Sequence, residues 1–376
     1  MRHAISRSTR PAIAALGILL AVVASTAVAD DDRRRGAVYT QTNAAAGNAV
    51  LAFDRDRDGA LTPAGTFPTQ GSGSGGGLGN QGALHLSRDG HWLLAINAGS
   101  NEVTVFARER TRLVLVDKVS SGGIRPVSIA MHGELVYILH AGSDNLVGFT
   151  LDYHGRLTPL AGSARALSGS GTAPAQAQFS SDGDQIIVTE KATGRILVYP
   201  VADDGRLDAP AAMTSPSPTP FGFAVGRRDQ FFVSEAAGGQ AGRSSLSSWQ
   251  LNDDGTASLV TASAQAPGQT AACWVVVSRN GRHAYVSNTG SGTLTGFSIA
   301  RSGALGLLDA NGISGSTGAG SGPTDLAITQ DGRVLLSLNP GNGTLTAFRI
   351  AASGKLTPVA GSSGLVPGSA TGLVAR

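Results

Sequence analysis

Residues 83–97 read ALHLSRDGHWLLAIN, and residues 325–339 read DLAITQDGRVLLSLN. Aligned on Gly90 and Gly332, the two segments match position by position: an apolar stretch, a polar turn ending in Gly, and an alternating stretch closed by Asn97 or Asn339. A small-residue loop follows each, then a strand ending in an aromatic. Two stretches so similar, so far apart in one chain, identify a repeated unit.

Counting that aromatic along the chain gives Phe53, Phe106, Phe149, Tyr199, Trp249, Phe297 and Phe348, spaced 43 to 53 residues apart. Each copy holds four short runs of period two, bounded by Gly, Asp, Asn or Ser, with no long run of helical period. A four-stranded unit of this length is a propeller blade, so the sequence predicts an all-β, seven-bladed β-propeller. Turns such as Asp203-Asp204-Gly205 and Asp253-Asp254-Gly255 lead into each outermost strand, and such turns account for much of the 52 glycines. Residues 36–67 supply three strands of a blade without its innermost one. The segment from Ser369 to Ala375 reads as an innermost strand with nothing after it. Joining the two closes the ring and hides two strand edges.

The beginning of the chain has a different character. Arg2, Arg7 and Arg10 precede an apolar run from Ala12 to Val23, then small residues ending in Ala27-Val28-Ala29 before Asp30. That order is a secretory signal peptide over residues 1–29, since a membrane span needs roughly 20 apolar residues and this run is shorter. Residues 30–35 form a self-neutralising charged tail, and residues 36–376 form the propeller domain. Cleavage after Ala29 removes three of the 29 Lys and Arg and no acid, leaving 26 against 26 Asp and Glu. A neutral mature chain gives no electrostatic case for nucleic acid or an anionic membrane as partner. The expectation is a monomer in the periplasm or secreted, acting on a small molecule. Cys273 is the single cysteine, so no intrachain disulfide supports the fold.

In a propeller, the loops between blades and those joining second and third strands open on one face around the axis, where ligands bind. The residue closing each second strand lies seven positions after the turn Gly in five repeats, and by pattern in the other two: Gln41, Asn97, His140, Glu190, Glu235, Asn288 and Asn339. All seven are polar. Either they line a site or they merely end strands at a wet surface. The blade entries add Asn80-Gln81, Arg125, Gln176, Phe221, Trp274 and Asp325.

Arg125 is the only cation at its repeat position. Beside Glu190 and Glu235 it would supply a fixed positive donor for a developing oxyanion and a carboxylate to take a proton from water. It could equally be the ion-pair partner of one of those glutamates. His140 is expected as a wall residue that could also move a proton. Gln41, Gln81, Asn97, Gln176, Phe221, Trp274, Asn288, Asp325 and Asn339 are the candidate substrate contacts. Cys273 reads as a small apolar strand residue. The spacing Asp54-Arg55-Asp56-Arg57-Asp58-Gly59 imitates a calcium loop, but its twelfth position is Gly65 and the repeat places it at an outer hairpin. No metal and no cofactor is expected.

The segments SRDGHWLLAINAGSNEVTVF ending at Phe106, FSSDG ending at Gly183 and SRNGRHAYVSN ending at Asn288 resemble the lactonase-type seven-bladed propellers. That family includes bacterial 6-phosphogluconolactonases and fungal carboxy-muconate lactonising enzymes. The likeness spans the whole mature chain. It implies a lactonase-like hydrolase acting on a small lactone or related carboxylic ester at the channel mouth. A non-catalytic ligand- or protein-binding propeller and a muconate-type lactonising cyclase are the alternatives. Relatives often carry Pro-His-Gln at a blade entry where this chain has Pro174-Ala175-Gln176, so a channel histidine is missing.

Overall fold

The computed structural model describes residues 36–362 and 366–376 besides Met1. The signal-peptide stretch and the charged tail lie outside the described residues. The described residues form seven antiparallel sheets, each with four strand positions from the axis outward. Blade 1 comprises residues 36–68 with Thr371–Ala375. Blades 2 to 7 follow over residues 84–120, 126–166, 174–214, 220–265, 272–316 and 325–362. In blades 3 and 6 the outer strand comes as two short pieces on the same neighbour.

The turn signature has a physical origin that the structure makes explicit. Between the innermost and second strands, the Ser or Thr hydroxyl donates to the Asp or Asn two residues on. These bonds run from Ser87 to Asp89 at 2.6 Å, Ser180 to Asp182 at 2.6 Å, Ser278 to Asn280 at 2.8 Å and Thr329 to Asp331 at 2.5 Å. The same hydroxyl accepts the backbone N–H that opens the second strand, as Trp92 N does to Ser87 at 2.9 Å. Gly90 at φ 74° and Gly332 at φ 72° occupy the left-handed region that this turn needs. The position after the Ser or Thr is left unconstrained.

The core lies between blades. Seven apolar clusters fill seven seams; one joins Leu94 and Val105 of blade 2 to Ile129 and Phe149 of blade 3, another Val38 and Phe53 of blade 1 to Leu336 and Leu345 of blade 7. The seven aromatics counted in the sequence are all buried, each worth roughly 1.5–3 kcal/mol. Second-strand tyrosines bolt neighbouring blades: Tyr39, Tyr137 and Tyr285 donate their hydroxyls to the carbonyls of Arg110, Gly205 and Gly354 at 2.6, 2.8 and 2.7 Å.

The ring closes as the sequence predicts. Thr371–Ala375 pairs antiparallel with Gly36–Gln41, Val38 opposite Ala375 and Gln41 opposite Thr371. Asp56, in the calcium-like stretch, accepts from the N–H groups of Asp58 and Ala60 at 2.9 Å each, capping its own outer hairpin. Among the described residues no helix is long and apolar enough to cross a membrane.

Candidate functional site

The seven residues closing the second strands have no exposed surface. Strand alternation turns their side chains into the blade seam, where the segment linking one blade to the next needs hydrogen-bond partners. Glu190 accepts from Ser168 N at 2.9 Å, Ser168 Oγ at 2.5 Å and Thr193 Oγ1 at 2.5 Å. Glu235 accepts from Ser245 Oγ at 2.6 Å and Ser215 Oγ at 3.4 Å, and burial pushes its carboxyl above the usual range. Asn97 accepts from Thr69 and Asn48 at 2.7 and 3.0 Å. Ser168, Ser215 and Thr69 all belong to inter-blade links, so these side chains act as clasps.

Asn288 and Asn339 serve the hairpins of their own blades, donating to Thr295 at 2.9 Å and Thr344 at 3.0 Å. His140 lies 3.4 Å from the Asn145 carbonyl, and burial brings its imidazole down to about 4, so it is neutral. Gln41 buries its amide with no hydrogen-bond partner among the described residues.

The blade entries behave differently, because they reach across the axis. Gln81 of blade 2 pairs with the Val275 backbone of blade 6, donating from Nε2 at 2.8 Å and accepting on Oε1 at 3.2 Å. Its N–H bonds the Ala175 carbonyl of blade 4 at 3.0 Å. Trp274 Nε1 donates to the Asn80 carbonyl at 2.7 Å, and Thr371 of blade 1 donates to the Asn80 side chain at 3.3 Å. Asn80-Gln81 therefore spans this end of the channel as a crossbar. Gln176 accepts from Phe223 N at 2.7 Å, knitting blades 4 and 5. Asp325 is buried with Leu326 N at 2.8 Å, and burial raises its carboxyl well above the ordinary value.

Arg125 is exposed at this end. Its backbone is left-handed, φ 55°, as are those of Ala173, Thr219 and Ala271 at the matching entries; its N–H bonds Asn101 Oδ1 at 2.7 Å. It makes no ion pair among the described residues, so the alternative of a glutamate partner is not what the fold builds.

Lys191, which sequence reasoning missed, sits within Arg125's electrostatic reach. Its ammonium donates to the Gly79 carbonyl, lies 3.5 Å from the Pro174 carbonyl and stands 4.8 Å from the Phe221 ring centroid. Burial and the field of Arg125 bring it down to about 8, and it has no carboxylate partner among the described residues. The Phe221 ring lies 5.0 Å centroid to centroid from that of Trp274, and both rings are buried in the core. Cys273 is buried beside them, its thiol pushed up to about 11 by burial. The signal for Lys191 was one position past the residues read: Thr42, Ala98, Ala141, Lys191, Ala236, Thr289 and Pro340 contain a single charge. The mouth thus combines two cations without carboxylate partners, one of them lowered to about 8, above a buried aromatic pair.

Known structures share this architecture. A protein of Lactobacillus plantarum superposes with a TM-score of 0.73 at 17% identity, covering 91% of this chain and 99% of that one. A candidate 6-phosphogluconolactonase of Bacteroides uniformis gives 0.72 at 17%, covering 90% and 98%. The periplasmic gluconolactonase of Pseudomonas aeruginosa gives 0.69 at 16%, covering 90% and 98%. No curated protein matches the chain in sequence. The model of the lactonase family, described as "Lactonase, 7-bladed beta-propeller", matches residues 44–170 and 174–368; the chain belongs to this family.

Proposed function

We propose that the protein is an exported lactonase-like hydrolase taking a small lactone or related carboxylic ester at the mouth where Arg125, Lys191, Phe221 and Trp274 meet. The observation that carries this reading is the pair of cations without carboxylate partners, Arg125 and Lys191, in a chain of the lactonase family. Arg125, free of acidic partners, holds the carbonyl oxygen as charge develops on it. Lys191, in its neutral fraction, takes a proton from the water that attacks the carbonyl carbon. When the ring C–O bond breaks, the same proton passes to the departing alkoxide, giving a hydroxy acid.

Glu190 and Glu235 enter as anchors. Their oxygens receive the link serines and Thr193, which fixes the strand ends that carry this face. The signal-peptide pattern and the periplasmic gluconolactonase among the structural neighbours support export. Mass spectrometry of the protein recovered from periplasm or medium tests it, with Asp30 expected as the first residue and an intact Met1 on a cytosolic protein refuting it.

The test of the reaction is acid release from a panel of γ- and δ-lactones by the mature protein. Arg125→Ala and Lys191→Arg are each expected to lower kcat/KM by about 100-fold or more. If no lactone is turned over faster than by the double variant, the hydrolase reading fails and a binding propeller takes its place.

A further inference from the structure

We propose that the opposite end of the channel, ringed by Arg88, Arg279 and Arg376, is a binding site for a small organic polycarboxylate. There, where the innermost strands finish, a cavity of about 250 Å³ opens between blades 6, 7, 1 and 2. Its apolar lining is Leu86, Ile328 and Ala375. Around these stand the three guanidiniums and the amide-bearing Gln330.

The arginines are not needed by the turns that carry them. The inner turn requires its Ser or Thr, its Asp or Asn and its Gly, while the position after the hydroxyl residue is free. That position holds Arg88, Ser181, Arg279 and Gln330 in the four blades with this turn. The side chains of Arg88 and Arg279 make no hydrogen bond or ion pair among the described residues. Arg376 donates to the Asp89 carbonyl at 2.7 Å, which fixes it at the rim. The nearby acids do not neutralise the first two. Asp89 is turned into its own turn by Ser87 and the His91 N–H, and Asp331 by Thr329 and the Arg333 N–H, with Arg55 at 3.5 Å.

Planar guanidiniums match carboxylates in bidentate fashion, so several around one cavity select a molecule with more than one carboxylate. The apolar lining adds a preference for a carbon skeleton over an inorganic anion. The volume falls just below the usual range of about 300–1,000 Å³ for small-molecule sites, which fits an acid of roughly four to six carbons rather than an oligosaccharide or peptide.

Isothermal titration of the mature protein with citrate at low ionic strength tests this. Citrate is expected to bind with a Kd of about 1 mM or tighter, and inorganic phosphate about tenfold more weakly. Both Arg88 and Arg279 are exposed, so the double variant R88A/R279A is expected to keep its melting temperature while weakening citrate about tenfold or more. Lys191→Arg, at the other end, should leave citrate binding unchanged, which separates this site from the proposed reaction. No citrate binding up to about 10 mM, undiminished binding in R88A/R279A, or phosphate binding as tightly as citrate would each overturn the proposal.

Discussion

Gly222 is where the crossbar can be tested most directly. It sits opposite Gln81, and a Cβ built on it would overlap Gln81 Oε1 and come within 2.7 Å of the Cys273 carbonyl oxygen. Its φ is not in the left-handed region, so Gly222→Ala carries no intrinsic backbone penalty and its effect is the collision alone. Displacing Gln81 breaks both of its bonds to the Val275 backbone and leaves a buried N–H and C=O without partners. Such hydrogen bonds contribute about 1 kcal/mol each, and leaving the two buried groups without partners costs about 1–2 kcal/mol each, so the substitution should destabilise by about 2–4 kcal/mol. With an unfolding entropy of about 0.7 kcal/mol/K for a ring of this size, the melting temperature should fall by about 3–6 °C. Calorimetry on Gly222→Ala, Gln81→Ala and the double variant is the assay. Once Gln81 is truncated only the contact with Cys273 O remains, so Gly222→Ala should cost no more than about half as much in that background. Equal costs in both backgrounds, or a Gly222→Ala within about 0.5 kcal/mol of the wild type, would refute the crossbar as the element that closes this end.

Three further outcomes follow from buried titrating groups. If neutral Lys191 is the base, kcat/KM for a lactone should rise as pH climbs through about 8, and stopped-assay profiles of Lys191→Met should lose that limb; a wild-type profile that falls through the same range would contradict the assignment. Folding raises the Glu235 carboxyl, so the native state holds more protons than the unfolded one just above the ordinary carboxylate range and stability falls as pH rises through that window; urea titrations of Glu235→Gln should show that slope removed. Cys273, buried and with its thiol near 11, should react with iodoacetamide at pH 8 about 100-fold more slowly in the native protein than in urea; comparable rates would mean the entry of blade 6 opens readily.

The sequence was most informative where the repeat imposes local geometry. Turn glycines, strand alternation and the seven aromatics each mark a position whose conformation is decided within a few residues, and these were enough for blade number and for the closing pair Thr371–Ala375 with Gly36–Gln41. Register also aligned Gln41, Asn97, His140, Glu190, Glu235, Asn288 and Asn339 correctly along their strands. What it could not show is which side of the sheet they serve. A polar residue at a strand end can face solvent or satisfy a neighbouring link, and the link partners Ser168, Ser215 and Thr69 lie in segments with no fixed repeat spacing. The crossbar was equally hidden, since Gln81 and Val275 are 194 residues apart and meet only because the ring brings blades 2 and 6 to opposite sides of a narrow axis. Lys191 was overlooked for a simpler reason: the position after the strand end varies in character, and the one charge in it stands out only when all seven copies are compared.

The pairing of Val38 with Ala375 joins residues at almost opposite ends of the chain. A polypeptide appearing from its N-terminus forms blades 2 to 7 in order, each able to dock on the one before, while the first blade waits with an unfilled inner edge. Completion is therefore a single late event, slow by its contact order, and until it happens the seam between blades 7 and 1 stays open. Locking thus waits until the last strand has arrived, which makes that strand a timer for the whole ring. Deleting residues 371–376 should then yield a species with most of its β-structure formed, its ring unsealed and its first edge available to another chain.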